Sequence, residues 1–133
     1  MRAPPDRISA PFFPRGAEWV NVATLRLDQQ LGRPVLIEFW DFCRSNSLRT
    51  LGYTRAWHAR YAAAGLRVVS VHAGAYPPSQ DPALVRAAVA RLGIEHAVLI
   101  DTDVSDLAAT VSGYHRMLSA SPQTVSRLPR GLR

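Results

Sequence analysis

Three short apolar runs, each closed by a turn signal and separated by helix-length stretches, constrain this chain most. Val35-Leu36-Ile37-Glu38-Phe39-Trp40, Leu66-Arg67-Val68-Val69-Ser70-Val71-His72 and Ala97-Val98-Leu99-Ile100-Asp101 are rich in β-branched and aromatic residues. They are apolar on both faces apart from single polar positions, the pattern of strands buried between two layers. Between the first two, Leu48, Leu51, Ala56, Ala59 and Ala63 recur at helical spacing, and Gly65 supplies a stop. The spacing predicts a helix over 47–64, with Asn46 or Ser47 as its N-cap. Between the last two, Asp81-Pro82 reads as N-cap and first helical residue. Leu84, Val85, Ala88, Val89 and Leu92 then form an apolar stripe ended by Gly93. Strand, helix, strand, helix, strand with short links implies an α/β fold. Its core strands, at about 35–40, 66–72 and 97–101, are parallel and joined by right-handed crossovers in a three-layer arrangement.

The flanks are less regular. Residues 1–18 carry Pro4, Pro5, Pro11 and Pro14 and read as an extended lead-in, followed by a short candidate strand at Trp19-Val20-Asn21-Val22. A globular domain is expected over 19–112. Residues 113–133, rich in Ser, Arg and Pro without a period of 2 or 3.6, are expected to be a poorly ordered basic tail.

Charge distribution argues against nucleic acid. The net charge of +6 falls mostly in that tail, where Arg116, Arg127, Arg130 and Arg133 meet no acid. A nucleic-acid face clusters its charge on a periodic element, interleaved with aromatics. No apolar run is long enough to span a membrane, and the first residues lack the apolar core of a secretory signal. A cytoplasmic location is therefore the expectation. His58, His72, His96 and His115 show no ligand spacing and there is a single cysteine, so neither a metal nor a cofactor is expected.

That cysteine sits where chemistry is favoured. Asp41-Phe42-Cys43-Arg44 joins the first strand to the first helix, and loops at the carboxyl ends of such strands are working loops. The positive end of a helix dipole stabilises a thiolate placed there, and Arg44 adds to it. His72, at the end of the next strand, is a candidate general base, and Trp40 a flank of the site. Glu38, an acid within an apolar strand, reads as a structural carboxylate with Arg67 as its candidate partner.

The order Trp19-Val20-Asn21, Gly32-Arg33-Pro34 with the 35–40 strand, Leu48-Arg49-Thr50-Leu51 with Tyr53 and Trp57, the strand after Gly65, and Leu92-Gly93-Ile94-Glu95-His96 with the last strand resembles thioredoxin-like redoxins of the TlpA/DipZ type, with AhpC/TSA-like relatives. The resemblance covers about residues 12–103. It implies a thioredoxin-like fold and thiol redox activity, and sets Glu38 where the family carries a partly buried acid that acts in proton transfer. It places the two cysteines of the family's Cys-x-x-Cys dithiol on Arg44 and Ser47, with Cys43 one residue before the nucleophile. A peroxiredoxin pattern fails at Leu36 and Trp40. The family's closing cis-proline, hairpin and helix find a counterpart only in Pro122-Gln123-Thr124, so the fold is expected to be incomplete at its C-terminus. The resemblance thus implies a thiol–disulfide or peroxide redox protein acting through Cys43, with Arg44, Ser47, Trp40 and His72 around it. Its reductant is then an external thiol or protein dithiol. A non-catalytic, degenerate binding derivative is the alternative. A third reading takes Cys43-x5-Arg49-Thr50, which resembles the anion loop of low-molecular-weight tyrosine phosphatases and arsenate reductases, with Asp81-Pro82 as its acid.

Overall fold

A computed structural model describes residues 12–101. Strand β1 (Glu18–Val20) is followed by a 3-10 turn at Leu27–Gln30, then strand β2 (Val35–Trp40) and helix α1 (Ser45–Tyr61), which tightens into a 3-10 turn at Ala62–Ala64. Strand β3 (Arg67–Ala73), a 3-10 turn at Pro77–Gln80, helix α2 (Pro82–Arg91) and strand β4 (Ala97–Asp101) complete the described part. The four strands form one sheet in the order β1-β4-β3-β2. β2, β3 and β4 are parallel, as the apolar runs require, and β1 joins the β4 edge antiparallel.

Both crossovers advance in the same direction across the sheet, so their right hand puts α1 and α2 on the same face. There Trp40, Val98 and Ile100 pack against Leu51 of α1 and Val85 and Val89 of α2. The other face, built from Val69, Val71, Ala97 and Leu99, is covered by Phe13 and Leu25 from the segment before β2. Phe13 meets Trp19 edge-on, ring centroids 5.3 Å apart. The proline-rich lead-in therefore contributes an anchor to the core.

Boundaries differ from expectation for local reasons. β1 ends at Val20 because Asn21 takes a left-handed φ of 70°. Its side-chain amide donates to the carbonyls of Ile94 and His96, both at 2.8 Å. Helix α1 begins at Ser45, two residues early, with Arg44 as an N-cap that offers no side-chain hydrogen bond. Asp81 does cap α2, accepting from the Ala83 N–H at 2.9 Å. Gly65 closes the α1 segment at φ 107°, where a side chain would be strained. The expected tail at 113–133 lies outside the described residues. Among those described, no helix is long and apolar enough to cross a membrane.

Leu99 is 1 % exposed at the centre of the sheet. Leu99→Ala is expected to lower the free energy of unfolding by roughly 2–5 kcal/mol, read by urea denaturation, because the close-packed strands around it cannot collapse into the space.

Candidate functional site

The loop between β2 and α1 is organised by a residue the sequence reading passed over. Asp41 is 2 % exposed. Its Oδ1 accepts from the Cys43 N–H at 2.8 Å, while its carbonyl accepts from the Arg44 N–H at 3.0 Å, folding 41–44 into a tight turn. Its Oδ2 reaches across to the loop after β3, accepting from the Ala75 N–H at 2.9 Å and the Ser79 hydroxyl at 3.2 Å. The two loops approach closely because residue 74 is glycine: a Cβ there would lie 2.1 Å from the Ser79 carbonyl oxygen. Burial pushes the Asp41 carboxyl up, but the amides of Ala75 and Cys43, the Ser79 hydroxyl and nearby His72 together outweigh it and hold the group below the usual carboxylate range.

The expected site residues gather around this turn. Ser47 Oγ accepts from the Asp41 N–H at 3.2 Å, which is why it does not cap α1. Trp40 is buried, its ring edge-on to His72 at 4.8 Å. His72 lies inside β3, one residue before its end, and is fully buried. Phe42 stacks on its other side at 5.5 Å, and His72 Nε2 accepts from the Phe42 N–H at 3.3 Å. Burial lowers the imidazole's pKa against the pull of Asp41. With its Nε2 lone pair engaged, this neutral ring holds the loop in place instead of facing the thiol as a free base. Arg44 lies 3.9 Å from Asp41 and stacks its guanidinium over Tyr76 at 5.7 Å. Cys43 is exposed, a free thiol on a pinned backbone. Glu38, which the sequence offered to Arg67, instead accepts from Ser70; Arg67 bonds Gln30.

This geometry weakens the anion-loop reading. A phosphate cradle needs convergent free N–H groups, yet within 43–49 those of Cys43 and Arg44 already donate to Asp41 and that of Leu48 to the Arg44 carbonyl. Arg49 is exposed on the outer surface of α1, and Asp81 is occupied as a cap. Among the described residues no three His, Cys, Asp or Glu side chains gather to hold a metal.

Comparison with known proteins gives the fold a kinship. No family model matches the sequence. The chain is 30% identical over 88 residues to Protein DipZ of Mycobacterium bovis, covering 64% of this chain and 13% of that protein. It is 31% identical over 97 residues to Protein SUPPRESSOR OF QUENCHING 1, chloroplastic, of Arabidopsis thaliana (72% and 9%). With NHL repeat-containing protein 2 of Bos taurus the identity is 33% over 98 residues (71% and 14%). Among solved structures it superposes on a thioredoxin-like protein in the oxidized form with a TM-score of 0.61, at 22% identity over 76% of this chain and 64% of that one. The chain has a thioredoxin-like fold. A putative thiol:disulfide interchange protein DsbE from Chlorobium tepidum shares the fold, with a TM-score of 0.58 at 22% identity, over 70% of this chain and 60% of that one. The chain spans less than a sixth of the length of those three curated relatives. It contains one cysteine and therefore no Cys-x-x-Cys dithiol.

Asp41→Ala strips the acceptor from the Cys43 and Ala75 amides, while the Ser79 hydroxyl turns to the Tyr76 carbonyl, 3.0 Å away. It is expected to cost roughly 2–4 kcal/mol at pH 7, each orphaned donor contributing. Because the folded-state pKa lies below the unfolded value of about 3.9, the stability tied to the carboxylate is complete above that value. It is lost as pH falls through the lower folded value. Urea unfolding of wild type and Asp41→Asn should therefore show a gap that is constant from pH 5 to 7 and narrows on acidification below about 4.

Proposed function

We propose that this chain is a redoxin, a one-cysteine thiol–disulfide exchange protein with Cys43 as its working thiol. The observation that carries the reading is the placement of Cys43. Its side chain is exposed, its backbone is fixed by Asp41, and it stands between the carboxyl end of β2 and the start of α1, which lacks a side-chain cap. The fold shared with the thioredoxin-like protein in the oxidized form and with DsbE supports it.

In the proposed cycle, the Cys43 thiolate attacks one sulfur of a substrate disulfide. A new S–S bond forms, the old one breaks, and the departing sulfur leaves as a thiolate that takes a proton from solvent. With no second cysteine in the chain, the mixed disulfide is resolved by an external thiol or protein dithiol. That partner bonds to the substrate-derived sulfur and releases Cys43. Peroxide is the alternative oxidant: the thiolate attacks one oxygen, the O–O bond breaks, and a sulfenic acid and water or alcohol result. An external thiol then condenses with the sulfenic acid, expelling water, and a second thiol reduces the disulfide. In the expected cytoplasmic setting a glutathione-like thiol or a protein dithiol fills that role.

Arg44 and Ser47, at the positions the resemblance assigns to the dithiol, favour the second reading, a binding domain that keeps the fold without the chemistry. One experiment separates them. The protein is exposed to iodoacetamide at pH 7, then to oxidised glutathione or hydrogen peroxide, with intact-mass detection and Cys43→Ser as control. Alkylation roughly tenfold faster than that of free glutathione, plus a single glutathione adduct or a trappable sulfenic acid, is the expected result. Alkylation no faster than glutathione, with no adduct, overturns the redox proposal and leaves the binding reading. Aryl phosphate hydrolysis lost in Cys43→Ser would instead restore the anion-loop chemistry.

A further inference from the structure

Beneath α1, beside the helix-side apolar cluster, a polar seam runs from the sheet towards a cavity. Glu38 and Ser70 are side-by-side neighbours in the parallel β2–β3 pair. The Ser70 hydroxyl donates to Glu38 Oε2 at 2.9 Å and lies 2.7 Å from His96 Nε2. Ser70 is fully buried and His96 is 2 % exposed. A hydroxyl has one proton. When Ser70 gives it to Glu38, His96 must donate from Nε2, which leaves Nδ1 as a bare lone pair. That Nδ1 is buried with no partner among the described residues, and so is the Nδ1 of His58, whose ring centroid is 5.6 Å from that of His96. Both rings line a cavity of about 350 Å³ shared with Gly52, Arg55, Gly93 and Glu95.

Two imidazoles at one cavity invite a metal, but Glu95 on its rim does not join them in a group that could hold one, and Arg55 lines the same space. Proton exchange suits the geometry better. We propose that Glu38, Ser70 and His96 form a proton relay that connects the half-buried carboxyl of Glu38 to the His58 cavity. A proton entering at His96 Nδ1 displaces the Nε2 proton onto Ser70 Oγ, and the Ser70 proton passes to Glu38. At the end Glu38 is a neutral acid donating to Ser70, Ser70 donates to His96 Nε2, and His96 is neutral with its proton on Nδ1. One proton has been taken up and every hydrogen bond has reversed direction.

The groups facing this chain are Glu38 from β2, Ser70 from β3, Thr54, Arg55 and His58 from α1, and Glu95 at the cavity rim. Asn21 holds the His96 carbonyl, leaving the ring's nitrogens out of its reach. Burial, with repulsion from His58 and Arg55, pushes His96 down to about 4. Burial pushes Glu38 up against the hydroxyls of Ser70 and Thr54. Above about pH 4 the arriving proton therefore rests on Glu38 while His96 changes tautomer without becoming charged. The relay stands or falls independently of Cys43.

Long-range ¹H–¹⁵N correlation spectra of the full chain, with His96 assigned through His96→Gln, read the tautomer directly. The expected result is an Nε2–H imidazole while Glu38 is ionised that converts to Nδ1–H as falling pH protonates the Glu38 carboxyl, whose hold on the proton burial strengthens. In Glu38→Gln the tautomer should not change over the same titration. Ser70→Ala should uncouple the two groups, and Glu38→Gln decides alone if that variant does not fold. A single His96 tautomer across the titration in wild type, or a conversion that persists in Glu38→Gln, overturns the relay.

Discussion

The buried carboxylate of Asp41 is the interaction on which this corner of the fold depends. Two loops leave the sheet side by side, one after β2 and one after β3, and neither has regular partners for its backbone. Asp41 serves both: one oxygen closes the turn that carries Cys43 and the other receives the Ala75 N–H and the Ser79 hydroxyl. Burying a charge is costly unless its lone pairs are filled, and here the donors are amides fixed by the loops. Gly74 completes the arrangement, since any Cβ would meet the Ser79 carbonyl. The outcome is an exposed thiol on backbone that does not wander, the condition for chemistry that relies on direction of attack.

The parallel core was legible because its signals are local and redundant. The strand at 35–40 is framed by Gly32-Arg33-Pro34 and Asp41, and 97–101 follows a glycine-closed helix, so period, length and punctuation agree. Two of the remaining boundaries shifted for a single side chain each, one recruited by residues more than seventy positions away and the other by the adjoining loop. Asn21 ends β1 because it is needed at Ile94 and His96, and Ser47 leaves the cap of α1 because it serves the Asp41 amide.

Within the site, Cys43, Trp40 and His72 could be placed from strand ends, whereas Asp41 could not. A single aspartate after a strand looks like any polar loop residue, and what distinguishes it is a donor set 34 to 38 positions away. His72 was legible in position and misleading in role. A histidine at a strand end suggests a base, yet burial between Trp40 and Phe42 makes it a neutral acceptor for a backbone amide. Ser70 and Glu38 appeared as isolated polar flaws in apolar strands. Only the parallel register, which sets Glu38 beside Ser70 and Trp40 beside His72, shows them to be paired.

Strand β3 ties the two polar regions together. Side chains two residues apart on a strand point to the same face, so Ser70 and His72 both lie beneath the helices, one facing His96 and the other facing the Asp41 loop. The two ends differ in freedom. At the corner the donors are mostly backbone amides, which cannot reverse, so Asp41 and His72 are held in one protonation pattern. In the seam the bridging group is a hydroxyl between a carboxyl and an imidazole, all three of which can exchange donor for acceptor. A β-strand is stiff along its length, and this one is paired on both sides. A change of hydrogen-bond direction at Ser70 therefore has little backbone give to absorb it. The seam accommodates protons by moving hydrogens, while the corner that presents Cys43 stays in place.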